Sequence, residues 1–216
     1  MPVVTEGPGT RQERKERTRQ AILDAALKLS EETGLAGLSL RAVAKEVGIV
    51  PTAFYRHFAS IEELGLALVD ASFASLRQMM REARRGWVSI DAVIEQSVET
   101  LARSVRERRA YFLFMFRERM SGITSVREAI RHELELFERE LATDLARLPG
   151  PDRWSTEDLR VFANLIVGLM VNTTEAILTA PRAETERAAV TTAEKQIRFL
   201  VIGAASWHGQ DEIAVT

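Results

Sequence analysis

Thr52, Tyr55, Arg56 and His57 fall within one short stretch, and each carries a group able to bond a nucleic-acid duplex. An arginine fork can donate twice to a guanine edge, and a threonine can contact a base or a phosphate. Tyr55 and His57 suit phosphate oxygens as neutral donors, contacts that position a protein on a duplex without reading its sequence. Upstream, Ser39 and Arg41 stand where a helix would begin, so side chain and free amides together offer a phosphate site. Arg17 lies in a basic run with Arg11, Arg14, Lys15 and Arg19. Alone, such a run solvates a helix start; ahead of the other candidates it reads as phosphate anchoring.

Other chemistries find little to rest on. The chain has no Cys, which excludes disulfides, thiolate metal sites and a cysteine nucleophile. His132 opens His-Glu-Leu-Glu-Leu, where a zinc-protease motif would need a second His at Leu136. It reads instead as a surface residue pairing with Glu128 one turn back. His208 has no visible partner. With no G-x-S-x-G, phosphate-binding loop or G-x-G-x-x-G, the sequence predicts no catalytic residue, no metal and no cofactor.

The elements that must position the duplex-binding groups are legible. Ser39 is a good N-cap, and Leu40, Val43, Ala44 and Val47 recur at helical spacing. Gly48 sits where a left-handed C′ residue is wanted, and Pro51 suits the first position of a second helix. Phe54 and Phe58, four apart, are predicted to face inward, leaving Thr52, Tyr55, Arg56 and His57 outside. Two short helices joined by a Gly-containing turn make a helix-turn-helix.

Around this stretch the chain reads as all-α, with about nine helices, three in an N-terminal head and six in a C-terminal bundle. Residues 1–10 are expected to be a disordered tail, 11–59 the helix-turn-helix domain and 60–208 the body. Ser60-Ile61-Glu62-Glu63 and Ser125-Val126-Arg127-Glu128 read as capping boxes, the second opening a helix to Leu148, and Ser155 as a further cap. The helix from Ser60, running through Met80 to near Gly86, is expected to be the mechanical link between head and body. Pro149-Gly150-Pro151 reads as the clearest loop. Of 216 residues, 46% are hydrophobic, enough for a sizeable core. No unbroken apolar run of transmembrane length occurs and the N-terminus does not read as a signal peptide, so the expectation is a cytoplasmic protein without membrane insertion. The net charge of −2 divides unevenly: residues 1–60 hold nine basic against seven acidic residues, the remainder 20 against 24. A weakly basic head on an acidic body would direct one face to DNA.

In the body, Phe112, Phe114, Phe116, Phe162 and Met170 either form ordinary core or enclose an apolar cavity. Arg103, Arg106, Arg108, Arg109, Arg117, Arg119, Arg127 and Arg131 surround the run Tyr111–Phe116. Such arginines either solvate helix faces or line a cavity mouth, where one such as Arg117 would meet a phosphate-bearing head group.

The stretch LSLRAVAKEVGIVPTAFYRHFASIEELGLALV, with the helix before it, closely resembles the DNA-binding head of the TetR family of bacterial repressors. ELGLALVDAS, LRQMMREARR, FRERMSG, REAIRHELELF and QIRFLVIGAASWHG further resemble, in patches, the FabR/DesT group, which regulates unsaturated fatty-acid synthesis or desaturation. The resemblance implies a homodimer, its last two helices pairing in a four-helix bundle, that binds a palindromic double-stranded operator with two heads about 34 Å apart. It also implies a hydrophobic effector, a long-chain acyl-CoA, within the body. A repressor sensing another hydrophobic compound such as a drug, and a helical lipid carrier or enzyme without a DNA role, remain the competing readings.

Overall fold

The computed structural model describes residues 10–83, 89–147 and 154–207. Among them are nine α-helices, one 3-10 turn and no strand. The head comprises α1 (Arg11–Thr33), a 3-10 turn (Leu35–Gly37), α2 (Leu40–Val47) and α3 (Pro51–Phe54). The body comprises α4 (Ile61–Ala83), α5 (Ile90–Glu107), α6 (Arg109–Glu118), α7 (Thr124–Leu145), α8 (Thr156–Thr179) and α9 (Ala183–Ala205).

Caps explain where most of these helices begin and end. Thr10, assigned to the tail from sequence, is the N-cap of α1: its hydroxyl accepts from the Glu13 amide while Glu13 accepts from the Thr10 amide. The rest of the expected tail lies outside the described residues. α1 ends at Gly34, whose φ of 67° suits glycine. Ser39 caps α2 by accepting from the Ala42 amide at 3.1 Å. Gly48 closes α2 in the left-handed region at φ 76°. A Cβ at Gly48 would meet nothing within 4 Å, so backbone conformation and not space calls for glycine there. Ser60 caps α4 by accepting from Glu63 N, but the returning bond goes one residue upstream of a full box, with the Glu63 carboxylate accepting from Ala59 N. At Ser155 a box forms with Asp158.

The Ser125 box does not form. α7 starts two residues before the box requires, at Thr124 rather than Val126, which places Ser125 inside the first turn with its Oγ buried and unpartnered. The entry is held instead by Ser121, whose Oγ accepts from Ile123 N and whose carbonyl accepts from Arg127. α7 ends at Leu145 rather than Leu148. Leu148, the Pro149–Pro151 loop, Gly86 and His208 lie outside the described residues, as does the side chain of Met80.

One apolar core runs without a break from head to body. Ile22, Ala26, Leu35, Val43, Phe54 and Phe58 of the head join Leu64, Leu68 and Phe73 of α4, Phe114 of α6, and Val126, Ile130 and Phe137 of α7. Phe73 and Phe137 meet at 5.8 Å between ring centroids. α4 approaches closely because Gly65 has no side chain: a Cβ there would lie 2.4 Å from Leu35 Cδ2 and 2.9 Å from Val126 Cγ2. Two smaller clusters hold the rest of the body. Leu101, Ala102, Val105 and Phe112 pack on Ile177 and Leu178, and Ile94 and Val98 pack on Ala193 and Ile197. Ion pairs tie the helices across their exposed edges, including Arg77 to Glu133, and Arg198 to Asp91 and Glu95.

Candidate nucleic-acid interface

α3 is shorter than the spacing predicts. Regular α-helix covers only Pro51–Phe54, and the chain continues in tight turns through His57. Arg56 N donates to Ala53 O at 3.2 Å, His57 N to Phe54 O at 2.8 Å and Phe58 N to Phe54 O at 3.2 Å. The tightening has a cause in packing. Phe54 and Phe58 are both fully buried, 5.9 Å apart at their centroids, and the chain must then reach the Ser60 cap. Between these anchors Tyr55 and Arg56 stand exposed, and Thr52 is exposed on the preceding turn. Tyr55 is 57% exposed although its ring meets Phe54 edge-on, so its phenol points outward from a fixed base.

His57 does not join them fully. It is half-buried, and its Nδ1 is buried without a protein partner. Burial holds its pKa below the ordinary 6.5, helped by the positive charges of Lys15, Arg19 and Arg56 and opposed by Glu16. It is therefore neutral at neutral pH, and it sits against the basic run of α1. Arg19 from that run lies over the Phe58 ring at 4.9 Å. Arg17 and Arg41 are exposed. Ser39 is exposed with its lone pairs engaged in capping, which leaves its O–H to donate. α1 and α2 are braced by Lys28 and Glu46 at 2.6 Å. The result is a rigid apolar wedge whose outer surface carries Thr52, Tyr55 and Arg56, with basic groups of α1 and the start of α2 in the same head.

The effector candidates are not gathered in one place. Phe112, Phe116 and Met170 belong to the cluster around Leu101, Val105 and Ile177. Phe114 is built into the head–body core. Phe162 packs against Trp154, edge to face at 5.2 Å. The arginines mostly have structural partners. Arg106 bridges Glu99 and Glu186, and Arg109 donates to Leu178 O at 3.0 Å. Arg119 lies over Phe116 and reaches Glu175 at 3.4 Å. Arg117, placed at a cavity mouth from sequence, turns the other way and donates to the carbonyls of Ser30 and Glu31 at the end of α1. Carbonyls at a helix C-terminus form the negative end of the helix dipole and attract a cation, here beside the Gly34 amide that Ser30 O already accepts, and this outcompetes the role assigned to it. His132 is exposed and makes no pair with Glu128 among the described residues. It lines a polar cleft of ≈ 460 Å³ with Glu135, Glu138, Arg139 and Arg160, whose charges are unsuited to an acyl chain.

Comparison with known proteins agrees with this arrangement. Residues 22–68 match the family model described as bacterial regulatory proteins, tetR family. Residues 90–203, more than half of the chain, match the tetracyclin repressor-like C-terminal domain. The chain belongs to the TetR family of bacterial regulators. Members of this family are DNA-binding regulators and not enzymes. Among solved structures, a transcriptional regulator from Rhodococcus sp. Rha1 is similar at a TM-score of 0.70 and 20% identity, covering 86% of this chain and 96% of that one. The fatty acid degradation regulator FadR from Bacillus halodurans gives 0.68 at 16% identity, covering 88% and 95%. The multidrug binding protein EbrR complexed with imidazole gives 0.60 at 19%, covering 82% and 93%. At these identities the likeness establishes the shared fold.

This TetR-family chain joins its head to its body in a way the sequence reading missed. α4 was expected to be the link, but α6 makes a second one. Next to Arg117, Glu118 is 3% exposed, and its Oε1 accepts the Leu35 amide at 2.9 Å. A signal for it exists in the sequence: Glu118 follows the inward Phe114 by four residues and so shares its buried helix face.

Proposed function

We propose that this TetR-family regulator is a repressor that binds a palindromic operator as a homodimer in the cytoplasm and responds to a long-chain fatty acyl-CoA, controlling lipid genes. The observation that carries the DNA half is Thr52, Tyr55 and Arg56 exposed on a segment pinned by two fully buried phenylalanines. In this reading Arg56 takes a base edge, Thr52 a base or phosphate, and Tyr55, His57, Ser39, Arg41 and Arg17 phosphates. The test is binding to a palindromic duplex selected from random sequence, measured across salt concentrations. Phosphate neutralisation makes affinity fall steeply with salt. Binding that is flat across salt, or indifferent to the palindrome, overturns this half.

The dimer is supported by an apolar face without cover. Val161 and Leu165 of α8 and Phe199 and Ile202 of α9 are between 48% and 74% exposed. α8 is long and apolar enough to cross a membrane by length and composition, and only 28% of its apolar window is buried. A second copy suits that face better than lipid. α8 packs on α7 and α9, its exposed Asn164 holds Glu138 at 2.9 Å, and Asn172 is exposed beside the apolar stripe.

The effector half rests on the body's resemblance to fatty-acid regulators and on the apolar walls of α5, α6 and α8. Phe112, Phe116 and Met170 are the side chains we assign to an acyl chain, with Phe162 and Phe114 at greater remove. Arg117 is not assigned to the head group, since its guanidinium holds α1. Titration of palmitoyl-CoA and oleoyl-CoA against operator binding tests the assignment. If neither changes operator affinity, the lipid reading fails and another hydrophobic compound takes its place.

A further inference from the structure

Glu118 is a carboxylate buried at the joint between head and body. Its Oε1 takes the Leu35 amide, while Oε2 is buried without a protein partner. A buried polar atom left unpaired is costly, and that cost is set against the buried Leu35 amide that Oε1 satisfies. The position shows what that bond holds. Leu35 is fully buried and opens the 3-10 turn just after Gly34, the positive-φ hinge between α1 and the helix-turn-helix. A Cβ on Gly34 would sit 3.5 Å from Glu118 Oε1, so the carboxylate lies directly against the turn. The preceding residue, Arg117, holds the carbonyls of Ser30 and Glu31 on the other side of Gly34. Adjacent residues of α6 thus grip both arms of the hinge, one by its amide and one by its carbonyls. α6 is itself fastened to α8 through Arg109 to Leu178 O and Arg119 to Glu175. A chain of polar contacts therefore runs from the helix that carries the open apolar face to the turn that carries the head, without passing through α4.

We propose that Glu118, assisted by Arg117, is a positioning residue that fixes the angle of the head on the body and so decides which half-site spacing the dimer accepts. This rests on the reading of the chain as an operator-binding dimer. With the clasp closed, each head is held at two points, α4 and α6. With it open, each head keeps only its apolar contacts to α4, Phe114 and Val126, which fix its angle less sharply, and a displacement of about 3.4 Å along the duplex equals one base pair.

Because the chain has no Cys, Lys45→Cys on the exposed face of α2 gives a single spin-label site per protomer. The distance between the two labels in the dimer reports the spread of head positions. In parallel, affinity is measured for the selected operator and for versions with one base pair added to or removed from the spacer. The wild type is expected to give a narrow distribution and to prefer the correct spacer by about tenfold or more. Glu118→Ala should broaden the distribution and bring the spacers to within about twofold of one another. Glu118→Gln keeps a carbonyl acceptor for Leu35 N and should restore both readouts, whereas a purely structural role would change the melting temperature and leave spacer preference alone. An E118A protein that stays narrow and selective overturns the proposal. Should E118A fail to fold, Arg117→Ala decides in its place, since that side chain is exposed; unchanged distances and selectivity in R117A overturn the proposal. A wild type that ignores palindromes overturns the functional reading and the spacing role with it.

Discussion

Truncation of Phe199 to Ala should dissociate the dimer. A phenylalanine buries about 200 Å² when fully enclosed, and Phe199 is 74% exposed in the isolated chain. About 150 Å² per protomer is then available to a partner, of which about two-thirds disappears on truncation. At about 25 cal/mol per Å² this is about 2.5 kcal/mol per protomer, and about 5 kcal/mol for both copies of a two-fold interface. Area converts incompletely into affinity, so the effect is placed at about 2–5 kcal/mol, a dimer weakened by about 30-fold to about 5,000-fold. Sedimentation velocity over a dilution series measures this directly, with circular dichroism checking that the helices persist. Loss of operator affinity should accompany dissociation, because one head alone binds a half-site. An unchanged dimer constant would mean that the α8–α9 face is covered by something other than a second copy, and the palindrome argument would fall with it.

Three further outcomes follow from the head and its joint. Arg56→Ala should weaken operator binding by about 1–3 kcal/mol and relax choice at one base pair; an equal loss on every sequence would make Arg56 a phosphate contact instead. His57 has a folded pKa below its ordinary 6.5, chiefly from burial and then from Lys15 and Arg19. Its contribution to stability is therefore complete above that value and is lost as pH falls from 6.5 toward the folded pKa, since the unfolded state takes up the proton first. Thermal melts at pH 7.5 and 5.5 should show a larger loss for wild type than for His57→Gln, and an equal or smaller loss refutes the account. Gly65→Ala adds a methyl against Leu35 and Val126, both fully buried. Overpacking of about 1–3 kcal/mol exceeds the helix-propensity gain of about 1 kcal/mol, so the melting temperature should drop; a rise would show that Leu35 gives way freely.

The head was largely legible because its determinants are local. Ser39, Gly48 and Pro51 act through their own backbone, and the spacing of Phe54 and Phe58 states which face is inward. Helix content was legible for the same reason, down to the apolar run Tyr111–Phe116, which lies within α6 despite its strand-like composition. The misreadings concern groups whose partners lie far away in the chain. Arg117 meets carbonyls 86 and 87 positions earlier, and Glu118 meets an amide 83 positions earlier. No local pattern encodes such pairs. Ser125 failed as a cap for a different reason: Ser121 and Arg127 offered the chain a better entry to α7, and the S-x-x-E pattern cannot register a competing turn. The shortness of α3 belongs with these, because it is imposed by the need to bury Phe58 and still reach Ser60.

These distant pairs bear on how a ligand in the body could act on the head. A ligand shifts an equilibrium between head positions only by binding one of them better, and it can do so only through elements that touch both. α6 meets that condition. Its Phe112 and Phe116 face the body cluster, its Phe114 lies in the head–body core, and its last residues hold the hinge at Gly34. α4 touches the head as well, but its contact through Gly65 is tight packing that leaves little room for an intermediate position. A displacement of α6 along its own axis would pull on the Leu35 amide while α4 resisted. The head would then rotate about the α4 contact rather than translate with it. Because the core runs unbroken through Phe114 and Val126, such a rotation must carry those contacts with it, so the apolar packing limits the head to small changes of angle.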